Sequence, residues 1–265
     1  MYLSHFGLTR FPFEKDIPPE ELFVSQAHRE LEARINHLIE LRGIGLCTGD
    51  SGSGKTSVCR KVTAALHSGL YRVFYIPNST GNVMDLYKSI AWELGLPTER
   101  SRAALYRAIR NEVVRLCVES HLRPLLIIDE AHHLRSDVLE ELRLLTNYDM
   151  DSHNRLCLLL VGHPELRRRV GMAVHLALNQ RIIVRHHLGG LTREELPLYL
   201  VHLLRRAGTE LPLFEPPAIE AIFHASGGLP RVVSSFAHHA LNAAAAAHAK
   251  VVTAEHVQAA APEVG

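Results

Sequence analysis

Residues 49–56 read Gly-Asp-Ser-Gly-Ser-Gly-Lys-Thr, a complete G-x-x-x-x-G-K-[ST] phosphate-binding loop. No other segment limits the fold as strongly. Such a loop needs a strand ending before it and a helix opening after it. Gly49, Gly52 and Gly54 permit close backbone approach and left-handed dihedrals. The N–H groups of the loop, with Asp50, Ser51, Ser53 and Ser57 in its wall, can then turn toward a polyphosphate. Lys55 has the reach for the β- and γ-phosphates, and the Thr56 hydroxyl suits Mg²⁺. The flanks agree. Residues 44–47 are a short apolar run that reads as a strand, and 56–66 read as a helix whose positive N-terminal end faces the phosphates.

A second motif supports the first. Leu125, Leu126, Ile127 and Ile128 form a continuous apolar run, followed at once by Asp129 and Glu130. A buried parallel strand with carboxylates at its C-terminal end has this appearance. Ligands of open α/β sheets gather at that end. The expected roles are Mg²⁺ coordination by Asp129 and polarisation of the attacking water by Glu130. A nucleotide with Mg²⁺ is therefore the expected ligand, and hydrolysis of its terminal phosphate the expected reaction.

Strands are expected at 71–77, 156–161 and 182–186, and helices at 25–42, 83–94, 101–120, 138–147 and 165–177. The alternation implies a parallel sheet with helices on both faces, an α/β P-loop fold. After Gly189-Gly190 only helical patterns follow. Thr192 and Glu195 form a capping box, Pro216-Pro217 open one helix, and Gly227-Gly228 close it. The expected division is a nucleotide-binding domain over 1–190, including an N-terminal extension, and a helical lid over 191–265. The loop-rich opening, with the aromatics Phe6, Phe11 and Phe13 within eight residues, is expected to pack against the main domain.

Hydrophobic residues make up 47% of the chain, enough for a substantial core, and the net charge of +1 announces no global basic field. The four cysteines, Cys47, Cys59, Cys117 and Cys157, lack metal-ligand spacing and read as reduced thiols. The pairs His132-His133, His186-His187 and His238-His239 invite a metal reading. Neighbours in sequence do not share a face, however, so a pair alone makes a poor site. The N-terminus lacks a signal-peptide pattern, and no stretch approaches the ~18 apolar residues of a membrane span. A cytoplasmic protein without a membrane partner is the expectation.

With the motifs assembled, the chain resembles an AAA+ ATPase, and within that superfamily the ExeA-like ATPases and the transposition ATPases of the TnsC, TniB and MuB kind. The resemblance spans nearly the whole chain. It rests on the opening Tyr2-Leu3…Phe6-Gly7-Leu8…Pro12-Phe13, on Asp129-Glu130-Ala131-His132, and on Val161-Gly162-His163-Pro164-Glu165-Leu166. Asn179-Gln180-Arg181-Ile182 and Gly228-Leu229-Pro230-Arg231 complete it. It implies that His163 is a polar sensor of the γ-phosphate, where ExeA-like proteins often have Gln. It implies that Arg181, with Arg185 as the alternative, is a finger given to the neighbouring subunit's nucleotide. Arg231 matches the second sensor.

The resemblance also implies self-assembly into a ring or helix, binding of duplex DNA without sequence preference, and a transposase as partner. ExeA-like secretion proteins usually continue into a membrane span and a cell-wall-binding region. The sequence here ends after the lid, so the expectation leans toward the transposition helper, with a secretion or envelope-assembly ATPase as the alternative. Arg102, Arg107 and Arg110, on one expected helix, are the candidate DNA contacts, and Arg167-Arg168-Arg169 the second cluster. Such cations can track phosphates without reading bases. Arginines on a solvated helix face are equally ordinary, and Glu112 and Glu119 dilute the first cluster.

Overall fold

The computed structural model describes residues 2–77 and 81–264, with the backbone alone at Asp151. It divides into two units. One comprises residues 30–50 and 55–188, and the other residues 1–29, 51–54 and 189–265.

The first unit is built on a five-stranded parallel sheet: β1 (Ile44–Gly49), β2 (Tyr71–Ile76), β3 (Arg123–Ile128), β4 (Cys157–Gly162) and β5 (Ile182–Leu188). Their order across the sheet is β2-β3-β4-β1-β5. β1 and β4 are buried along their whole length, as continuous apolar runs in a two-sided parallel sheet must be. Leu158 of β4 pairs with Ile44 on one side and Leu126 on the other, which fixes the register of the three central strands. Leu86, Tyr87 and Ile90 of the helix Val83–Glu93 pack into this core with Leu105, Ile109 and Val113 of the helix Arg102–Val118. Asn82 caps the former helix reciprocally with Asp85.

One expected element is interrupted. The helix foreseen over 165–177 stops as Pro164–Val170, passes through a short 3₁₀ turn at Ala173–His175, and resumes as Leu176–Arg181. Gly171 ends the first piece.

The second unit is helical in its C-terminal part, with helices Glu195–Arg206, Pro216–Ser226, Pro230–Ala246 and Ala254–Val264. Thr192 and Glu195 exchange the hydrogen bonds of the expected capping box, at 3.3 Å and 3.1 Å. The aromatic opening packs here rather than on the α/β domain. Tyr2, Phe6 and Leu8 join Leu200, Phe236, Ala240 and Leu241 in one buried cluster, and the Tyr2 hydroxyl meets His238 Nδ1 at 3.0 Å. Burying each large side chain contributes roughly 1.5–3 kcal/mol, so the segment is an integral part of this core. Burial pushes the Tyr2 hydroxyl up to about 12.

The four cysteines are free thiols, three of them buried. Among the described residues, no helix is long and apolar enough to cross a membrane.

Candidate nucleotide site

Three neighbouring strands of the α/β unit end in candidate site residues. The phosphate loop follows β1, Asp129-Glu130 follow β3, and His163 follows β4. In the order β3-β4-β1 their carboxyl ends lie side by side, where open α/β sheets collect ligands.

Asp129 is 4% exposed. Its Oδ2 accepts hydrogen bonds from Thr56 Oγ1 at 2.6 Å and Tyr75 Oη at 3.0 Å, and its Oδ1 accepts from the Glu130 N–H at 2.9 Å. Three donors thus compensate a buried carboxylate, which would otherwise be costly. Thr56 spends its proton on Asp129 and keeps its oxygen lone pairs available. Hydroxyl and carboxylate oxygens together are the hard donor set that Mg²⁺ takes. The proximity of Asp129 and burial raise the Tyr75 hydroxyl, with burial the larger cause.

Lys55 is buried, and its Nζ donates to the carbonyls of Gly49 and Asp50, both at 2.8 Å. Burial pulls its ammonium below the usual lysine value, while Cys47, Glu130, Asp129 and Asp50 oppose the shift. Ser57 lies in the helix Lys55–Ala65, one position past the Thr56 hydroxyl.

Glu130 stands in the left-handed region, at φ 52 and ψ 32. A 3₁₀ turn, Ala131–His133, follows it. This turn is pinned by Arg169, whose guanidinium donates to the carbonyls of His132 and Leu134. The Glu130 carboxylate is half-exposed, with Oε2 3.3 Å from His132 Nδ1 and 4.0 Å from His163 Nε2. The His132 ring lies 4.0 Å from that of His133 and 4.4 Å from that of His163, centre to centre. Burial and the neighbouring His133 and His163 rings pull His132 below the ordinary histidine value. The family resemblance implied a sensor role for His163, and nothing in the sequence signalled that it would join this pair.

In the helical unit, the crest of the phosphate loop, Ser51–Gly54, groups with Arg231 and His28. The Arg231 N–H donates to the Gly52 carbonyl at 3.2 Å, and its guanidinium to Ser51 Oγ at 3.2 Å. His28 Nε2 meets the Ser53 carbonyl at 3.2 Å. Gly52 and Gly54 have φ of +79 and +101, and a Cβ on either would sit 2.5–2.6 Å from Arg231 or His28. Only glycine fits both positions. Ser53 Oγ is buried in the loop wall without a hydrogen-bond partner among the described residues.

The remaining arginines divide. Arg181 donates to the Arg143 carbonyl at 3.0 Å, and Arg185 to the Ile182 carbonyl and the Asn179 side chain. Arg102 pairs with Glu141, and Arg110 donates to the Asn147 carbonyl while lying over the Tyr148 ring. Two of the three candidate DNA contacts are thus held by the protein itself, and Arg107 is exposed. In the second cluster Arg169 serves the 3₁₀ turn. Arg167 and Arg168 instead line an open groove of about 590 Å³ with Pro164, Gly171, Met172 and His187.

The AAA domain family profile matches residues 38–170, and the chain belongs to that family. The parallel sheet with its phosphate loop and C-terminal helical region is the AAA+ P-loop architecture. General secretion pathway protein A of Aeromonas hydrophila is 34% identical over 247 residues, covering 92% of this chain and 45% of that protein. ATP-dependent target DNA activator B of Escherichia phage Mu is 28% identical over 158 residues, covering 59% of this chain and 46% of that protein. The chain therefore spans about half the length of these curated relatives. Among solved structures, Cdc6p from Pyrobaculum aerophilum superposes with a TM-score of 0.73 at 18% identity. That match covers 96% of this chain and 70% of the other, and shows a common fold.

Proposed function

We propose that the chain binds ATP with Mg²⁺ and hydrolyses it, working as a self-assembled ring or helix. The observation that carries this reading is the hydrogen-bonded set Thr56–Asp129–Glu130 at the end of β3, beside a phosphate loop that opens a helix. Bound Mg²⁺–ATP supplies the reactive phosphoanhydride. The residues do the rest. Loop N–H groups from Gly49 to Ser57 and the Lys55 ammonium hold the phosphates. Thr56 and Asp129 supply oxygens to the metal. The Glu130 carboxylate orients a water and takes up its proton. His163 and Arg231 report the γ-phosphate, and Arg181, or Arg185 in its stead, stabilises the transition state of a neighbouring subunit.

The finer reading is that the assembly forms on duplex DNA and presents a target to a transposase. The likeness to the phage Mu target DNA activator supports it, as do the exposed Arg167 and Arg168 in their groove. A second reading, an ATPase of secretion or envelope assembly that acts on proteins, is favoured by the 34% identity to general secretion pathway protein A over 92% of this chain.

DNA binding across a salt series separates them. On the transposition reading, affinity for arbitrary duplex is weak without nucleotide and strong with a non-hydrolysable ATP analogue. The slope of log affinity against log salt is about 0.9 per phosphate neutralised. Arg167→Ala with Arg168→Ala then flattens the slope more than Arg102→Ala with Arg110→Ala. No salt-sensitive complex with the analogue would favour the secretion reading.

A further inference from the structure

The adjacent pair His132-His133 makes a poor metal site when read along the chain. The fold changes that assessment by bringing Glu130 and His163 to the same place. Ligand atoms of Glu130, His132 and His133 all lie within 4.8 Å of one another. The short turn after Glu130 explains how, by folding His133 back toward it. The His133 N–H closes the turn on the Glu130 carbonyl at 3.0 Å.

The protons make the arrangement more specific. His132 Nδ1 accepts from the His163 backbone N–H at 3.4 Å, so this ring nitrogen presents its lone pair. The same nitrogen lies 3.3 Å from Glu130 Oε2, a carboxylate oxygen that can only accept. Nδ1 has a single in-plane lone pair, turned toward that N–H, and supplies no hydrogen to the carboxylate oxygen. His163 Nε2 adds a third donor atom 4.0 Å from that oxygen. A cation between them takes that one lone pair from the His163 N–H, exchanging a long 3.4 Å contact for a metal bond.

We propose that Glu130, His132 and His133, with His163 as the fourth donor, form a site for a divalent cation of the zinc class. Imidazole with one carboxylate suits Zn²⁺, Co²⁺ or Ni²⁺ and not Mg²⁺, which keeps to the oxygen donors Thr56 and Asp129. Tetrahedral zinc with bonds of about 2.0–2.1 Å places its donors roughly 3.4 Å apart. The 3.3 Å and 4.0 Å separations bracket that value, and the exposed His133 ring has a ligand atom within 4.8 Å of those of Glu130 and His132. Half-exposed Glu130 and His163 leave the cation an entry path. Arg169 holds the turn through backbone carbonyls and leaves every proposed donor atom available. The consequence is regulatory. A cation on the Glu130 carboxylate removes it from water activation, so zinc arrests turnover while ATP stays bound.

The site rests on side-chain geometry and is tested without nucleotide, so it stands or falls separately from the hydrolytic reading. Co²⁺ is titrated into the full chain, purified without a polyhistidine tag, and its visible d–d absorption is followed. One equivalent is expected to give a saturable band that Zn²⁺ abolishes. His132→Ala and His133→Ala are each expected to weaken Co²⁺ binding by about 10-fold or more. Glu130→Gln, which changes one half-exposed group, is expected to weaken it as well. The proposal is overturned if the wild-type chain gives no saturable band. It is equally overturned if all three variants bind Co²⁺ as the wild type does, since another of the 18 histidines would then hold the metal.

Discussion

Replacing Glu130 by glycine and, separately, by alanine tests whether the turn after β3 holds its carboxylate in place against a backbone cost. Both variants lose the carboxylate and its approach to His132, so those effects cancel in the comparison. They differ in the backbone, which stands at φ 52 and ψ 32. A residue with a Cβ in this left-handed region costs about 1–2 kcal/mol relative to a right-handed one. Alanine retains that cost and glycine removes it. Glycine in turn loses roughly 0.5–1 kcal/mol more conformational freedom on folding. The balance leaves the glycine variant more stable by about 0.5–1 kcal/mol, opposite in sign to the same pair at an ordinary helical position. Urea unfolding followed by far-ultraviolet circular dichroism is expected to show a midpoint about 0.2–0.3 M higher for Glu130→Gly than for Glu130→Ala. Neither variant is expected to hydrolyse ATP. An alanine variant as stable as the glycine variant would refute the argument that the catalytic turn is strained.

Lys55→Ala is expected to abolish ATP binding, because the buried ammonium that faces the phosphates is lost; equilibrium binding of a fluorescent ATP analogue measures it, and wild-type affinity would remove the phosphate-loop assignment. Arg181→Ala is expected to spare ATP binding and to reduce turnover by ~10³-fold if the residue acts in trans. Mixing that variant with Lys55→Ala protein is then expected to restore part of the activity, since the two spoil different faces of an interface. No recovery at any ratio would turn attention to Arg185.

Much of the α/β unit was legible because its strands are apolar runs bounded by turn residues, and because Gly52, Gly54, Lys55 and Thr56 carry their chemistry in their spacing. What escaped depended on contacts distant in sequence. Tyr2 and Phe6 are plainly core residues, but nothing local says that their core is the helical unit, where Tyr2 meets His238. Arg169 reads as one member of a basic triplet, whereas the fold binds it to the carbonyls of His132 and Leu134. Arg102 and Arg110 read as free cations, candidate DNA contacts, because their partners, Glu141 and Tyr148, lie on other segments. The left-handed backbone of Glu130 has no sequence signal, since glycine and asparagine are the residues that announce it. The histidine cluster was hidden because His163 stands on a different strand end from His132.

Steady-state ATP turnover of Glu130→Gln, measured beside its ATP affinity and particle size, tests the central claim most directly. The substitution leaves Asp129, Thr56 and Lys55 in place and removes only the carboxylate assigned to the attacking water. The account predicts ATP affinity like that of the wild type, turnover reduced by about 10²-fold or more, and assemblies that persist because the nucleotide is not consumed. Turnover equal to the wild type would contradict it, and would reduce Glu130 to the residue that begins a turn.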